Sequence, residues 1–205
     1  TCALPICADG DDDIVGGSGD DIIDGNAGAD TITGGAGDDT ITGGAGSDTA
    51  IFAGNQSDYT FASSADGLTI TITNTVTNDV DTVTGVETLS FDDGDIGVSS
   101  ESNGLVLTGD ATGDDITIVG SVPVTVLGAD GDDDIVGGSG DDIIDGNAGA
   151  DTITGGAGSD TAIFAGNQSD YTFASSADGL TITITNTVTN DVDTVTGVDR
   201  KSTRL

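Results

Sequence analysis

Residues 16 to 51 read GGSGDDIID, GNAGADTIT, GGAGDDTIT and GGAGSDTAI, four nonapeptides in unbroken register. A less regular unit, CADGDDDIV, precedes them at 7 to 15, and the block recurs at 128 to 163 with one nonapeptide fewer. Each unit has glycine at its fourth place and aspartate at its sixth, and isoleucine fills the eighth place until the last unit of each block. A short fixed period of this kind predicts a stacked solenoid.

The spacing of the apolar residues excludes a helix and favours a strand in every unit. The isoleucines recur nine residues apart rather than three or four apart, and glycine costs about 1 kcal/mol at an interior helix position. Each unit is therefore predicted to be a turn followed by a short strand, with two units in each coil. Units n and n+2 then stack about 4.8 Å apart, and their isoleucines point inward. The predicted fold class is all-β, with two parallel β-roll blocks, each followed by a small antiparallel β cap.

This stacking places aspartates that are 18 residues apart on the same edge of the roll, so that Asp30 neighbours both Asp12 and Asp48. Carboxylates about 4 Å apart repel by about 4 kcal/mol at an effective dielectric constant of about 20, and the repeats contain no basic side chain. A hard divalent cation would remove this repulsion. Calcium suits the site better than magnesium because it accepts six to eight oxygens, backbone carbonyls included, in flexible geometry. The candidate metal ligands are the sixth-place aspartates Asp12, Asp21, Asp30, Asp39, Asp48, Asp133, Asp142, Asp151 and Asp160.

The nine units resemble the GGxGxDxUx repeats of the RTX, or haemolysin-type, calcium-binding proteins. This resemblance implies that calcium fills the turns of a parallel β-roll in a secreted bacterial protein. Asn26 stands where the pattern has glycine, a conservative departure because asparagine tolerates a positive φ. The alternative is an acidic low-complexity linker that binds no ion, but such a linker would not need an aliphatic residue at a fixed place.

The two ends of the chain differ from the rest and are interpreted as scars of a ligated adapter. Residues 1–6 can be encoded by ACG TGT GCT CTT CCG ATC, and its reverse complement encodes Asp199 to Arg204. Both cysteines lie in residues 1–7, and all three basic residues lie in residues 199–205. We therefore leave both segments out of fold reasoning and expect the remainder to be an internal fragment of a longer protein.

The charge of residues 8–198 excludes several partners. Without Asp199 and the basic tail, 36 acidic residues face no basic ones. Such a chain is not expected to bind nucleic acid or anionic membrane surfaces, and no apolar run is long enough to span a membrane. Its self-repulsion would be offset by calcium, so we expect folding coupled to the ion in an extracellular setting. Adaptation to high salt is a rival cause of the acidity, but it does not explain aspartate at one place in every unit.

The chain outside the repeats is rich in Thr, Val and Ile that alternate, which indicates antiparallel strands. The second cap lacks the strand that matches Thr88 to Phe91. Asp115 lies 18 residues before Asp133, which favours an additional coil with Val124 at its intermediate place. Asp92, Asp93 and Asp95 are interpreted as an exposed turn, with a calcium site as the alternative. The predicted domains are a first roll at 8–52, a cap at 53–98, a linker with short strands at 99–127, a second roll at 128–164 and a truncated cap at 165–198.

No catalytic centre is expected, and three functions stay open. The chain has no histidine, which removes Ser-His-Asp triads and HExxH zinc sites, and aspartates repeated in equivalent settings suit ligands better than an acid–base pair. The first hypothesis is a calcium-triggered folding and secretion module. The second is a spacer in a repetitive cell-surface adhesin, and the third is the tail of a secreted enzyme whose catalytic domain lies elsewhere.

Overall fold

A computed structural model describes residues 2–3, 9–101 and 104–198, and the chain divides into two compact units, Thr1–Ser100 and Glu101–Leu205. The scars proposed at the two ends lie largely outside the described residues, and so do Ser102 and Asn103 of the predicted linker. The fold is all-β, apart from two short 3-10 helices at Gln56–Asp58 and Gln168–Asp170. This confirms the predicted class.

The strands of the first unit are β1 (Cys2–Ala3), β2 (Asp13–Ser18), β3 (Asp21–Asp24), β4 (Thr31–Ala36), β5 (Thr40–Thr42), β6 (Thr49–Ile51), β7 (Tyr59–Ser63), β8 (Thr69–Asn74), β9 (Val80–Thr84), β10 (Thr88–Ser90) and β11 (Asp95–Glu101). Those of the second unit are β12 (Gly104–Thr108), β13 (Asp115–Thr117), β14 (Val124–Leu127), β15 (Asp134–Val136), β16 (Ile143–Asp145), β17 (Thr152–Thr154), β18 (Thr161–Ile163), β19 (Tyr171–Ser175), β20 (Thr181–Asn186) and β21 (Val192–Thr196).

The first roll has two parallel sheets whose strands come from alternate nonapeptides. Strands β2, β4 and β6 form one sheet, in which Ile32 lies between Ile14 and Ala50. Strands β3 and β5 pair in the other sheet and set Ile23 beside Ile41. Paired residues are 18 apart in sequence, as the nonapeptide period predicts for two units per coil. The isoleucines at these positions are all buried and form the thin core.

Two positions explain why the turns need glycine or asparagine. Asn26 occupies the second place of its unit with a φ of 70°, a left-handed conformation that asparagine adopts more readily than most residues. Gly46 occupies a fourth place with a φ of 151°, and a Cβ at this position would overlap the carbonyl oxygen of Gly28 in the neighbouring coil. The turns therefore stack with backbone against backbone.

The first cap, residues 53–98, continues the roll on both sheets. Strands β7, β8 and β9 form an antiparallel meander, and β9 then pairs in parallel with β5, which places Val83 beside Ile41. Strand β10 pairs in parallel with β6 and antiparallel with β11. Phe91, just after β10, packs against the rings of Phe52, Tyr59 and Phe61 at centroid distances of 5.5, 5.1 and 6.0 Å.

The second unit repeats this plan. Strands β12, β14, β16 and β18 form one parallel sheet, and β13, β15 and β17 pair in parallel in the other. The antiparallel meander β19–β20–β21 has the same registers as its first-unit counterpart and joins the roll through β21 beside β17. No helix among the described residues is long and apolar enough to cross a membrane.

The register predicted for Asp115 was wrong by one residue. Asp115 pairs with Asp134 rather than with Asp133, so the offset in the first coil of the second unit is 19 residues. The preceding residue, Asp114, takes the sixth place instead, and its backbone amide donates to Asp133. The carbonyl of Gly120 accepts the amide of Ser139 just as the carbonyl of Gly138 accepts the amide of Ala157 in the next, regularly spaced coil, so the register is already 18 residues at Gly120. It is also 18 at Val124, whose amide donates to Asp142. Because Thr117 still pairs with Val136, the one extra residue lies between Thr117 and Gly120.

Candidate metal centre

The sixth-place aspartates of the first unit form two rows, one on each edge of the roll, in which the later carboxylate accepts the amide of the aspartate 18 residues earlier in the chain. The amide of Asp12 donates to Oδ1 of Asp30 at 2.9 Å, and the amide of Asp30 donates to Oδ1 of Asp48 at 2.9 Å. On the other edge, the amide of Asp21 donates to Oδ1 of Asp39 at 2.9 Å. The aspartates predicted as neighbours thus do share an edge, and hydrogen bonds between coils fix their positions.

The second unit holds its aspartates in the same way. The amide of Asp133 donates to Oδ1 of Asp151 at 3.1 Å, and the amide of Asp142 donates to Oδ1 of Asp160 at 3.0 Å. Eight of the nine predicted ligands are almost fully buried, and Asp12, in the first coil, is half-buried.

Four further acidic residues extend these rows and were not among the predicted ligands. Asp81 and Glu87 accept the amides of Asp39 and Asp48 at 2.8 and 2.9 Å. In the second unit, Asp193 accepts the amide of Asp151 at 3.1 Å, and Asp114 precedes Asp133 as described above. A sequence signal existed, since Asp81 and Asp193 open the string DTVT, which resembles the DTIT of the repeats.

The second carboxylate oxygen of most of these aspartates is buried and has no hydrogen-bond partner among the residues that the structure describes. This holds for Oδ2 of Asp12, Asp21, Asp30, Asp39, Asp48, Asp133 and Asp142. Each such oxygen except that of Asp12 lies against the first-place glycine of its own unit; for example, a Cβ on Gly16 would come within 2.9 Å of Oδ2 of Asp21. A buried acceptor without a donor destabilises the folded state by roughly 1–3 kcal/mol, and by more when it is charged. A cation bound to these oxygens would remove this cost.

Burial, and to a smaller extent mutual repulsion, raises the pKa values of three carboxyls in these rows well above 3.8. Burial is the main cause for Asp133, whose pKa rises to about 7, with further contributions from Asp151 and Asp114. Burial likewise raises the pKa of Asp142 to about 6, and the charge of Asp160 adds to the effect. In the first unit, the pKa of Asp81 rises to about 6 for the same reason, next to Asp39. The folded chain thus disfavours ionised carboxylates unless a cation accompanies them.

A second, exposed row of carboxylates runs beside the buried one. Asp11 accepts the amide of Ala29 at 2.9 Å, and Asp132 accepts the amide of Ala150 at 2.9 Å. These fifth-place carboxylates accept amides from the next coil along the chain, whereas the sixth-place carboxylates accept amides from the preceding coil. The two rows therefore tie neighbouring turns together in both directions.

The donor set fits a hard cation that also takes backbone oxygens. Among the described residues, no three side chains of the types His, Cys, Asp and Glu gather into a metal-binding cluster. The orphaned aspartate oxygens would therefore supply only part of a coordination shell, and carbonyl groups of the turns would have to complete it, as calcium allows. Asp92 and Asp93, in the acidic turn of the first cap, instead accept the amides of Gly54 and Gln56 at 3.2 and 2.9 Å.

A parallel solenoid whose turns hold buried carboxylate oxygens without a donor is typical of one class of protein, the metal-binding β-roll. A family model for the RTX calcium-binding nonapeptide repeat matches the chain four times, at residues 8–41, 15–50, 24–60 and 127–162. Both units therefore carry RTX calcium-binding nonapeptide repeats, and calcium is the ion that these repeats bind.

Comparison with individual proteins gives no closer assignment. A search of curated proteins finds no match. Among solved structures, the chain is similar to the extracellular lipase LipA from Serratia marcescens, with 20% sequence identity and a TM-score of 0.42. The match covers 98% of this chain and 39% of that lipase chain, so the chain spans about two fifths of the lipase's length. At this TM-score the likeness carries no inference about function.

Proposed function

We propose that this chain is a non-catalytic, calcium-triggered folding module of a secreted bacterial protein. The observation that carries the proposal is the row of buried aspartate oxygens that lack a hydrogen-bond donor in the described part of the chain. A cation is needed there because residues 9–198 contain no Lys, Arg or His to neutralise these charges. The proposed ligands are Asp12, Asp21, Asp30, Asp39, Asp48, Asp133, Asp142, Asp151 and Asp160.

The chain's own residues would position the carboxylates, and the stability of the stacked turns would then depend on bound calcium. Inter-coil hydrogen bonds, such as that from the amide of Asp30 to Asp48, hold one oxygen of the accepting carboxylate. The glycine next to the other oxygen leaves no side chain in the way, as Gly25 does beside Asp30. Bound calcium supplies the positive charge that lets stacked carboxylates stay ionised and buried. Without it, the repulsion between turns opposes the same stacking that buries the isoleucines.

Calcium availability would then decide where the module folds. Extracellular calcium modules bind with dissociation constants of about 10⁻⁴–10⁻³ M, well above cytosolic calcium. A chain with such sites stays loose inside the cell and folds once it is outside. This order of events suits export of an unfolded chain, which is the proposed role in secretion.

A second candidate is a structural spacer in a repetitive cell-surface protein. The specific observation is that residues 129–154 repeat 8–33, and residues 155–198 repeat 43–86, without a single change. The two copies form separate compact units, each with its own roll. A duplicated unit of roll and cap suits a spacer better than an enzyme tail, for which one block suffices.

The ligand assignment is tested by calcium titration calorimetry on aspartate-to-asparagine variants. Asp30→Asn is expected to lower calcium affinity by roughly tenfold or more, because Asp30 contacts the coils on both sides. Asp12→Asn is expected to lower it less, because Asp12 contacts one neighbouring coil. Asp13→Asn is the control, since Asp13 is exposed on a strand. Equal affinities for all three variants would refute the assignment.

A further inference from the structure

Strand β9 of the first cap returns from the meander to the roll in the manner of one more coil. Residues 81–85 read DTVTG, against DTITG at 39–43 in the roll, and β9 pairs with β5 at a constant offset of 42 residues. The amide of Thr82 donates to the carbonyl of Asp39 at 2.8 Å, as equivalent residues do within the roll. The rest of the meander is therefore inserted into the coil that follows Asp39.

Two carboxylates reach this junction with β9. Asp81 accepts the amide of Asp39 at 2.8 Å, the contact that Asp39 itself makes with the amide of Asp21. Asp79 precedes Asp81 by two residues. Burial raises the pKa of Asp81 to about 6, and repulsion from Asp39 and Asp79 adds to the effect. The row of carboxylates thus continues from the roll into the cap.

The junction differs from the roll because a cavity lies where a glycine turn would be. In the roll, the second oxygen of most buried aspartates lies against the first-place glycine of the same unit, as Oδ2 of Asp39 lies against Gly34. Five residues before Asp81 the cap has Val76 instead, which is 69% exposed. Asp81 lines a cavity of about 370 Å³ between this part of the cap and the roll.

Oxygen-bearing groups line much of this cavity. Its polar wall consists of Asp79, Asp81, Asn74, Thr77 and Tyr59 from the cap, and of Thr33 and the turn at residues 34–36 from the roll. None of the residues on the wall is basic. Oδ2 of Asp39, which is buried and has no hydrogen-bond partner among the described residues, lies against Gly34 of the same wall. Two carboxylates among neutral oxygens suit a hard cation that takes six to eight oxygen ligands.

We propose that this cavity binds a calcium ion outside the nonapeptide repeats, with Asp79 and Asp81 of the cap as its carboxylate ligands. The matched repeats of this unit end at residue 60, so neither ligand belongs to them. Backbone carbonyls of the turn at 34–36 supply further oxygens. The proposal rests on the calcium binding proposed above. It makes the contact between cap and roll dependent on calcium, because the ligands come from both.

The second unit carries the same pair of cap residues. Asp193 accepts the amide of Asp151 at 3.1 Å, and Asp191 precedes Asp193 by two residues. An equivalent site is therefore expected there, and the test has to distinguish the two.

Terbium luminescence sensitised by tyrosine makes this distinction. The chain has two tyrosines, Tyr59 in the wall of the first cavity and Tyr171 in the second cap. Terbium is a hard trivalent cation that accepts the oxygen ligands of calcium, and a tyrosine sensitises its emission only at close range. In the full chain with Tyr171→Phe, excitation of Tyr59 should give saturable terbium emission that an excess of calcium removes.

Two further variants of the Tyr171→Phe chain test the ligands. Asp79→Asn and Asp81→Asn are each expected to lower the affinity for terbium beside Tyr59 by about tenfold or more, since each removes a negative charge from the cation. Circular dichroism verifies that each variant is folded. Asp79→Asn decides the matter if Asp81→Asn does not fold, because Asp79 is only half-buried.

Asp66→Asn in the same chain is the matched control. Asp66 lies in the turn between β7 and β8, at the other end of the meander from Asp79, and does not line the cavity. The charge of the chain changes by the same amount, so the affinity beside Tyr59 should stay unchanged.

Two results would overturn the proposal. One is a chain that folds in calcium but gives no terbium emission from Tyr59, and the other is equal terbium affinity for Asp79→Asn and Asp66→Asn. Either would leave the calcium sites of the roll untouched. Conversely, a chain that folds in chelator would refute calcium-triggered folding, while a loss of affinity confined to Asp79→Asn and Asp81→Asn would still support the junction site.

Discussion

The first and second caps of this protein share every residue from the last repeat to the end of the meander, yet only the first is closed. Both form three antiparallel strands in the same register. In the first cap, Phe61 and Ile70 are buried and Phe61 contacts the ring of Phe91, just after β10, whereas in the second, Phe173 and Ile182 are at least partly exposed. The local sequence therefore suffices for the strands and their pairing, and the apolar core of the cap depends on a segment that lies outside the meander.

The largest expected difference between the caps concerns Phe91. Phe91→Ala should destabilise the first unit by about 3–5 kcal/mol, the usual cost of removing a large buried aromatic side chain. Phe91 is 7% exposed and contacts three other rings. Urea unfolding in calcium, monitored by circular dichroism, measures this loss of stability. The midpoint should fall for the part of the transition in which the first unit unfolds.

Phe173→Ala in the second cap is the control for this comparison. Its side chain is 46% exposed and therefore contributes less burial, so the change should cost clearly less than Phe91→Ala. If the two substitutions lower the unfolding midpoint equally, Phe91 and the strands β10 and β11 beside it do not stabilise the first cap as described.

Stacking of the turns predicts the next largest effect, at Gly46. Gly46→Ala should cost about 1–3 kcal/mol through steric overlap with Gly28, in addition to the strain of its φ of 151°. Gly10→Ala is the matched control, because Gly10 has a comparable φ of 133° but no atom of the described residues within 4 Å of the place that a Cβ would take. Thermal unfolding in calcium compares the two, and equal losses would show that φ strain alone makes these glycines necessary.

The pH dependence of the metal-free chain follows from the raised pKa values. The pKa values of Asp133, Asp142 and Asp81 lie at about 7, 6 and 6 when folded, above the ordinary value of 3.8. The folded state then binds protons more tightly than the unfolded state, so the stabilising contribution is present below about pH 4 and is lost as the pH rises to about 7. Residual structure in chelator should therefore decrease from about pH 5 to about pH 7.5.

Calcium affinity should change in the opposite direction over the same window, because calcium competes with protons for these carboxylates. Calorimetric titrations at several pH values measure this trend. Metal-free structure that increases from about pH 4 to about pH 7 would contradict the electrostatic account of the aspartate rows.

The smallest effect is expected at the tips of the two meanders. Val76 is 69% exposed and Val188 is 71% exposed, so their substitution by serine should change stability by no more than about 0.5 kcal/mol in either unit. This pair tests whether the two caps differ only near Phe91, β10 and β11. A clear difference between Val76→Ser and Val188→Ser, measured by urea unfolding, would mean that the difference between the caps extends to the tips of the meanders.

The nonapeptide period made the roll predictable. The fixed eighth-place isoleucines predicted the inward ladder, and two units per coil predicted the 18-residue register that joins Ile14 to Ile32. The prediction was wrong at Asp115, because one extra residue in the unit that follows shifts the sixth place to Asp114. Periodicity cannot reveal such an insertion where the flanking unit lacks the glycine and aspartate landmarks.

The candidate site was predictable only in part for a related reason. The sixth-place aspartates could be found by period, but Asp81 and Glu87 join the rows from 42 and 39 residues away in sequence, across the meander. Their positions depend on β9 and β10 returning to the roll, which is a tertiary event. Nor could the period indicate that one oxygen of a carboxylate such as that of Asp48 accepts an amide while the other is left buried.

The central claim, that buried stacked carboxylates require calcium for folding, is tested most directly by far-ultraviolet circular dichroism of the chain at neutral pH. The spectrum is recorded in a strong chelator and again with an excess of calcium, with magnesium as the control ion. The account predicts strand signal with calcium and an unfolded spectrum in chelator. An ordered strand spectrum that persists in chelator would contradict it.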